Sequence, residues 1–194
     1  MNEKLIKHLK DSINAKYSLV HEKDRIFKSI NKIKTSISKK KKIFFCGNGG
    51  SASDAQHLTA ELLIRLRPKI NRKSIPAICL HMDASTLTAC SNDYSYKEIF
   101  SRPLSALGIS GDILVVISTS GNSQNIIEVL KIAKKMKIFS IGFLGKNGGK
   151  AKKLCNLPII VKSSNTARIQ EAHIFLGHFI LEQVEDYLIK KKKF

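Results

Sequence analysis

A chain of 194 residues with 43% hydrophobic and 7% aromatic content has enough apolar side chain for one domain with a full core. Thirty-four basic against fifteen acidic residues leave a formal charge of +19. Lysine dominates it, in short runs such as 39–42 and 190–193, with no arginine-rich strip or aromatic-interleaved basic motif. The charge therefore reads as a solvated surface, and no nucleic-acid partner is expected.

The longest apolar runs, such as 113–117, are too short to span a bilayer, and charges are scattered through the first seven residues. Neither a membrane span nor a signal peptide is expected. Cys46, Cys79, Cys90 and Cys155 form no Cys-x-x-Cys pair, which argues against a zinc ribbon or redox motif. Buried thiols in a reducing cytoplasm are the expectation.

The elements follow in chain order. Leu5, Ile6, Leu9, Ile13 and Tyr17 make one helical stripe, and Ile26, Ile30, Ile33 and Ile37 make a second. Together they predict an N-terminal helical hairpin over residues 1–40. Both stripes exceed what a short sheet edge needs to cover, which predicts burial in a multi-subunit bundle. From residue 42 onward strand and helix patterns alternate. Strands are predicted at 43–46, 77–80, 113–118, 140–144 and 158–161, short, apolar and mostly β-branched, as in a parallel sheet buried on both faces. Helices are predicted at 51–66, 84–92, 96–107, 123–136, 146–154 and 167–189. The polar stretch 67–74 reads as a mobile loop. The whole predicts a single domain of the α/β class, a doubly wound, flavodoxin-like parallel five-stranded sheet. In such sheets ligands sit beyond the carboxyl ends of the strands.

Four segments fall where ligands are expected. The first is Gly47-Asn48-Gly49-Gly50-Ser51, after the first strand. Glycines there let the backbone expose its N–H groups, and the following helix points its positive end at the loop. His57 and Glu61, four apart, share one face of that helix. The loop also fits a dinucleotide fingerprint, Gly47-x-Gly49-x-x-Ala52, but no acidic residue ends a second strand about twenty residues on. No Gly-Lys-Ser/Thr follows, so a Walker loop is absent. The second segment is Ser118-Thr119-Ser120-Gly121-Asn122-Ser123, four hydroxyls and a glycine at a helix start. One hydroxyl suffices for an N-cap; four favour a phosphate cradle. The third is Arg168-Ile169-Gln170-Glu171 with His173 and His178 on the last helix. Gln170 and His178 lie eight apart, on nearly one side, and His173 is displaced from both. His57, Glu61, Gln170 and His178 would make a mixed N/O set for a divalent metal if the two helices face each other. The fourth is Asn92-Asp93, after a short helix, read equally as a turn or as a contact to sugar hydroxyls.

These segments together resemble the sugar-isomerase (SIS) domain family, over nearly the whole chain. The Ser-Thr-Ser-Gly loop alone marks the broad family; the full set with His57 and Glu61 is more specific and resembles members acting on a seven-carbon sugar phosphate. The resemblance implies an aldose–ketose isomerase that converts D-sedoheptulose 7-phosphate to D-glycero-D-manno-heptose 7-phosphate, opening the route to ADP-heptose and the lipopolysaccharide core. It implies a cytoplasmic homotetramer with active sites at subunit interfaces and one zinc per subunit on His57, Glu61, Gln170 and His178. Substrate contacts are implied for Asn48, Gly49, Gly50, Ser51, Glu61, Asn92, Asp93, Ser118, Thr119, Ser120, Ser123 and Gln170. Some relatives carry an acidic residue just before the Arg-Ile-Gln-Glu run; here it is Ala167. Other SIS proteins isomerise different phosphosugars, and some bind a replication-initiation protein and lack the catalytic Glu and His. Both are present here, as Glu61 and His178. An enediol isomerisation needs a proton taken from C1 and one delivered to C2, and a carboxylate and an imidazole suit those transfers. Glu61 is expected as the base at C1 and His178 as its acid/base partner.

Overall fold

A computed structural model describes residues 2–81 and 83–190; residues 191–193 of the C-terminal lysine run lie outside them. Two helices, α1 (Asn2–Tyr17) and α2 (Lys23–Ser38), joined by a 3-10 turn, precede the sheet. The strands are β1 (Ile43–Gly47), β2 (Ala77–Cys79), β3 (Ile113–Ser118), β4 (Phe139–Gly145) and β5 (Leu157–Val161). They run parallel in the order β2-β1-β3-β4-β5, with Ile43 beside Ile113 and Ser118 beside Leu144. The remaining helices are α3 (Gly50–Leu63), α4 (Ala84–Asp93), α5 (Ser101–Leu107), α6 (Gln124–Lys135), α7 (Ala151–Leu154) and α8 (Thr166–Lys190). This is the expected doubly wound fold, and its strand order reverses between β1 and β3.

Period-2 alternation splits the strands between two cores. Ile43, Phe45, Val115, Ile117, Phe143 and Val161 face α2, α3 and α8, while Phe44, Cys46, Leu114, Val116 and Leu144 face α5 and α6. All four cysteines are unpaired; Cys46, Cys90 and Cys155 are buried and Cys79 is half-buried. Burial holds their thiols protonated, with Cys79 pushed up to about 11 and Cys155 to about 12.

Four expectations need correction. The helix predicted at 96–107 is a 3-10 turn (Tyr96–Glu98) followed by α5. Pro103 has no N–H to donate to the carbonyl of Ile99, so the helix restarts at Ser101 and places Pro103 in a first turn, where no donor is needed. The helix predicted at 146–154 shrinks to α7, because Lys146, Gly148 and Gly149 take φ values of 57°, 86° and 53°. That left-handed run turns the chain before it can become helical. The loop 67–74 is tied down: Arg67 and Arg72 both bond the buried carboxylate of Glu185 on α8, at 2.7 and 2.5 Å. Finally, the two N-terminal stripes part ways. Ile26, Ile30 and Ile33 are buried in the chain's own core, whereas Leu5, Ile13 and Tyr17 remain 61%, 62% and 68% exposed. Beside the exposed stripe, α1, α2 and α8 enclose an apolar groove of about 510 Å³ lined by Ile13, Tyr17, Val20, Phe27, Phe175 and Phe179.

His173 on α8 is fully buried, its ring 6.3 Å from that of Phe143. Burial pulls its pKa down to about 4, opposed only weakly by the Leu144 carbonyl. Because the folded value lies below the ordinary one of about 6.5, the unfolded chain takes up this proton first. The contribution is therefore complete above about pH 6.5 and is lost as pH falls toward 4, amounting to about 3 kcal/mol. His173→Leu should flatten the fall in melting temperature between pH 7.5 and 4.5. Parallel curves for the variant and the parent would exclude the effect.

Candidate active site

Both predicted ligand loops lie at the carboxyl ends of the two strands that flank the switch point. The loop after β1 turns through Gly49, whose φ of 56° starts α3. The loop after β3 runs from Ser118 to Ser123, the residue before α6. Asn48 and Asn125 bridge the two with reciprocal amide bonds of 3.0 and 2.8 Å, and the Tyr96 hydroxyl donates to Asn48 Oδ1 at 3.1 Å. Asn125 and Tyr96 were not anticipated from sequence. The only signal for them was an asparagine in the first turn of a helix and a tyrosine near Asn92-Asp93.

Hydroxyl roles in the second loop separate. Ser118 is buried and accepts the Gly121 N–H at 3.0 Å, so it builds the loop. Ser120 accepts the Asn122 N–H at 3.2 Å, which leaves its own O–H free to donate. Ser123 occupies the N-cap position of α6 yet makes no side-chain cap bond. Its hydroxyl is thus not consumed by the helix, whose first-turn amides and positive dipole end face the same loop. The Thr119 carbonyl packs against Gly145, where a Cβ would lie 2.6 Å from it. Ser51 is buried in the first turn of α3.

The two His-bearing helices do face each other. A Cβ at Gly177 would lie 2.6 Å from both δ-methyls of Leu58, so the bare glycine lets α8 pack closely on α3. The neighbours of that contact in sequence are His178 and His57, whose Nε2 atoms lie 2.8 Å apart with the rings edge to face at 75°. Glu61 Oε1 is 3.4 Å from His57 Nε2. Its other oxygen, Oε2, is buried without a hydrogen-bond partner. Three ligand atoms within 4.8 Å of one another, two nitrogens and an oxygen, could hold a metal ion. The unpartnered Glu61 oxygen beside two converging imidazole nitrogens fits a divalent cation such as zinc.

Gln170 sits elsewhere on the same side of α8. Its amide presses on Gly50 at the start of α3, where a Cβ would lie 2.5 Å from Nε2. It adjoins the glycine loop, two helical turns from His57. His173, as expected, is excluded from the cluster and enters the core. Asn92 and Asp93 close the last turn of α4, exposed and bonded to each other at 2.9 Å; Asn92 shares an open groove with Tyr96. One turn before His57, burial raises Asp54 to about 6, and its Oδ2 is buried and unpartnered. That carboxyl was not anticipated; a lone Asp at a helix start reads as a dipole partner.

The sequence matches the SIS domain family over residues 8–145. It is 47% identical to the phosphoheptose isomerase of Clostridium acetobutylicum over 187 residues, covering 95% of this chain and 94% of the relative. A phosphoheptose isomerase from Aneurinibacillus thermoaerophilus is 40% identical, covering 99% and 98%. Among solved structures, phosphoheptose isomerases of Neisseria gonorrhoeae and Francisella tularensis superpose with TM-scores of 0.87 and 0.89 at 37% and 32% identity, each covering 95% of this chain and 98% and 97% of theirs. With its fold, its hydroxyl loop and its His–Glu–His cluster, the chain belongs to the SIS domain family, in its phosphoheptose isomerase branch.

Proposed function

We propose that the protein converts D-sedoheptulose 7-phosphate to D-glycero-D-manno-heptose 7-phosphate, the entry to heptose units of lipopolysaccharide. The observation that carries the reading is the His57–Glu61–His178 cluster, with Glu61 Oε2 buried and unpartnered, in a chain that also sets a hydroxyl loop at the N-terminus of α6. The relatives' activity accords with that chemistry.

The phosphate would bind at Ser118–Ser123, with the Ser120 and Ser123 hydroxyls donating and the α6 dipole favouring the anion. Asn48, Gly49, Gly50, Ser51, Asn92, Asp93, Thr119 and Gln170 would line the sugar path, Asn48 held in place by Asn125 and Tyr96. Glu61 would take the C1 proton and His178 would exchange protons at C2. The two carboxylate oxygens stand in different surroundings: Oε1 faces His57, and Oε2 is buried without a hydrogen-bond partner. One carboxylate could thus serve a metal and the substrate at once. His57, Glu61 and His178 would hold zinc, one per subunit, which would polarise the substrate carbonyl; Gln170, implied as a fourth ligand, lies against Gly50 instead. The exposed α1 stripe and adjoining groove suit burial in a homotetramer, the arrangement in which active sites would lie at subunit interfaces. No described helix is long and apolar enough to cross a membrane. Free thiols throughout accord with a cytoplasmic enzyme.

Steady-state kinetics on the heptulose phosphate separate the two halves of the site. Glu61→Gln should lower kcat by about 10²–10⁴-fold with KM little changed. Ser123→Ala should raise KM by about ten- to a hundred-fold, the value of a hydrogen bond to a charged group. A near-parental rate for Glu61→Gln would remove it as the base, and an effect of Ser123→Ala confined to kcat would remove the phosphate role.

Elemental analysis tests the metal. His57→Ala and His178→Ala should each strip zinc, whereas His173→Ala should retain it, because His173 points into the core. Loss of zinc in His173→Ala alone would overturn the ligand set. Light scattering of the parent should give a tetramer, and Leu9→Glu with Ile13→Glu, on the exposed stripe, should dissociate it. A parent monomeric at micromolar concentration would end the shared-site reading.

A further inference from the structure

Glu61 lies in the last turn of α3, the part of a helix whose carbonyls have no intrahelical partner. The Ile64 N–H reaches back to Ala60, and there the ladder stops. No glycine follows to close the end with a left-handed turn: the next residues are Ile64 and Arg65. The Glu61 carbonyl is served instead by Arg72, whose Nη2 donates to it at 2.6 Å while Nη1 donates to the Leu62 carbonyl at 3.0 Å. A guanidinium at a helix C-terminus also answers the negative end of the dipole.

Arg72 is itself fixed. Its side chain is 1% exposed, and its Nε donates to Glu185 Oε1 at 2.5 Å, a carboxylate only 2% exposed. Glu185 is seven residues, two turns, beyond His178 on α8, so both project toward α3. The same ion cluster takes in Arg67, whose Nε bonds Glu185 Oε2 at 2.7 Å and whose Nη2 pairs with Asp186; Arg67 donates to no α3 carbonyl. Buried ion pairs contribute little net stability over an apolar replacement, so this cluster is best explained by the geometry it imposes.

We propose that Arg72, braced by Glu185, is a positioning residue for the isomerisation: it clamps the last turn of α3 to α8 and so sets where the Glu61 carboxylate stands against His178. This rests on the roles proposed above for Glu61 and His178. Arg72 acts through the backbone of the residue that does the chemistry, by its bond to the Glu61 carbonyl. Lysine cannot replace it, because an ammonium lacks the planar fork that reaches Glu185 and two carbonyls together.

The test is kinetics of the full-length enzyme on the heptulose phosphate, with melting temperature followed in parallel. Arg72→Lys should lower kcat by about 10- to 100-fold, the scale of an ångström-sized misplacement, with KM little changed because the hydroxyl loop is untouched. Arg67→Lys should lower the melting temperature but leave kcat at the parental value. In a Glu61→Gln background Arg72→Lys should cost no further kcat, since the carboxylate it positions is gone. Full kcat in Arg72→Lys, equal kcat losses in the two arginine variants, or an additive loss in the double variant would each overturn the clamp. Should Arg72→Lys not fold, Glu185→Gln, which keeps an acceptor for Arg72 Nε, carries the same expectation in smaller measure. The two readings fail separately. An inactive Glu61→Gln with a fully active Arg72→Lys sinks only the clamp, whereas a fully active Glu61→Gln sinks the site assignment and the clamp with it.

Discussion

The approach of α8 to α3 at Gly177 and Leu58 is the contact on which the candidate site depends. Without a side chain at 177 the two helices close until His57 and His178 meet at hydrogen-bond distance. A Cβ there would lie 2.6 Å from the Leu58 methyls, so Leu58 or α8 would have to give way. The same pair of helices is held a second time at the far end of α3 through Glu185 and Arg72. An apolar close contact and a buried ion pair thus bracket the reactive residues along the helix axis.

The sheet supplies the other half. Parallel strands reversing their order between β1 and β3 leave two neighbouring loops with no crossover between them. One is glycine-rich and admits close approach of a ligand to backbone. The other is hydroxyl-rich and sits on a helix N-terminus. The Asn48–Asn125 bridge makes the two loops one surface, and Tyr96 ties in the end of α4, which carries Asn92. Anion recognition and proton transfer therefore come from different parts of the fold, the first from strand ends and the second from the α3–α8 pair.

Burial sorts chemically identical groups. His57, His173 and His178 are all imidazoles on helices that flank one face of the sheet. His173 enters the apolar core and is driven neutral, while His57 and His178 meet at the surface beside a carboxylate. The N-terminal hairpin shows the same sorting of leucines and isoleucines. The stripe of α2 completes this chain's core, and that of α1 stays exposed.

Period and punctuation in the sequence determined most of the architecture. Alternating short β-branched runs and 3.6-period stretches fixed five strands, their parallel class and all the long helices, because each pattern is local and repeats within one element. The eightfold spacing of Gln170 and His178 likewise put them on one side of a helix, and the fourfold spacing did so for His57 and Glu61. What local pattern could not carry was decided by contacts between distant segments. How closely α3 and α8 pack beside His57 and His178 involves a glycine 119 residues from its leucine partner. That loop 67–74 is anchored depends on a glutamate more than a hundred residues away. The sequence put Ser123 in a cap motif, and only the structure shows its hydroxyl unspent. Spacing along an element is a property of the chain. Which faces meet, and which polar atoms are left over when they do, follows only from packing the elements together.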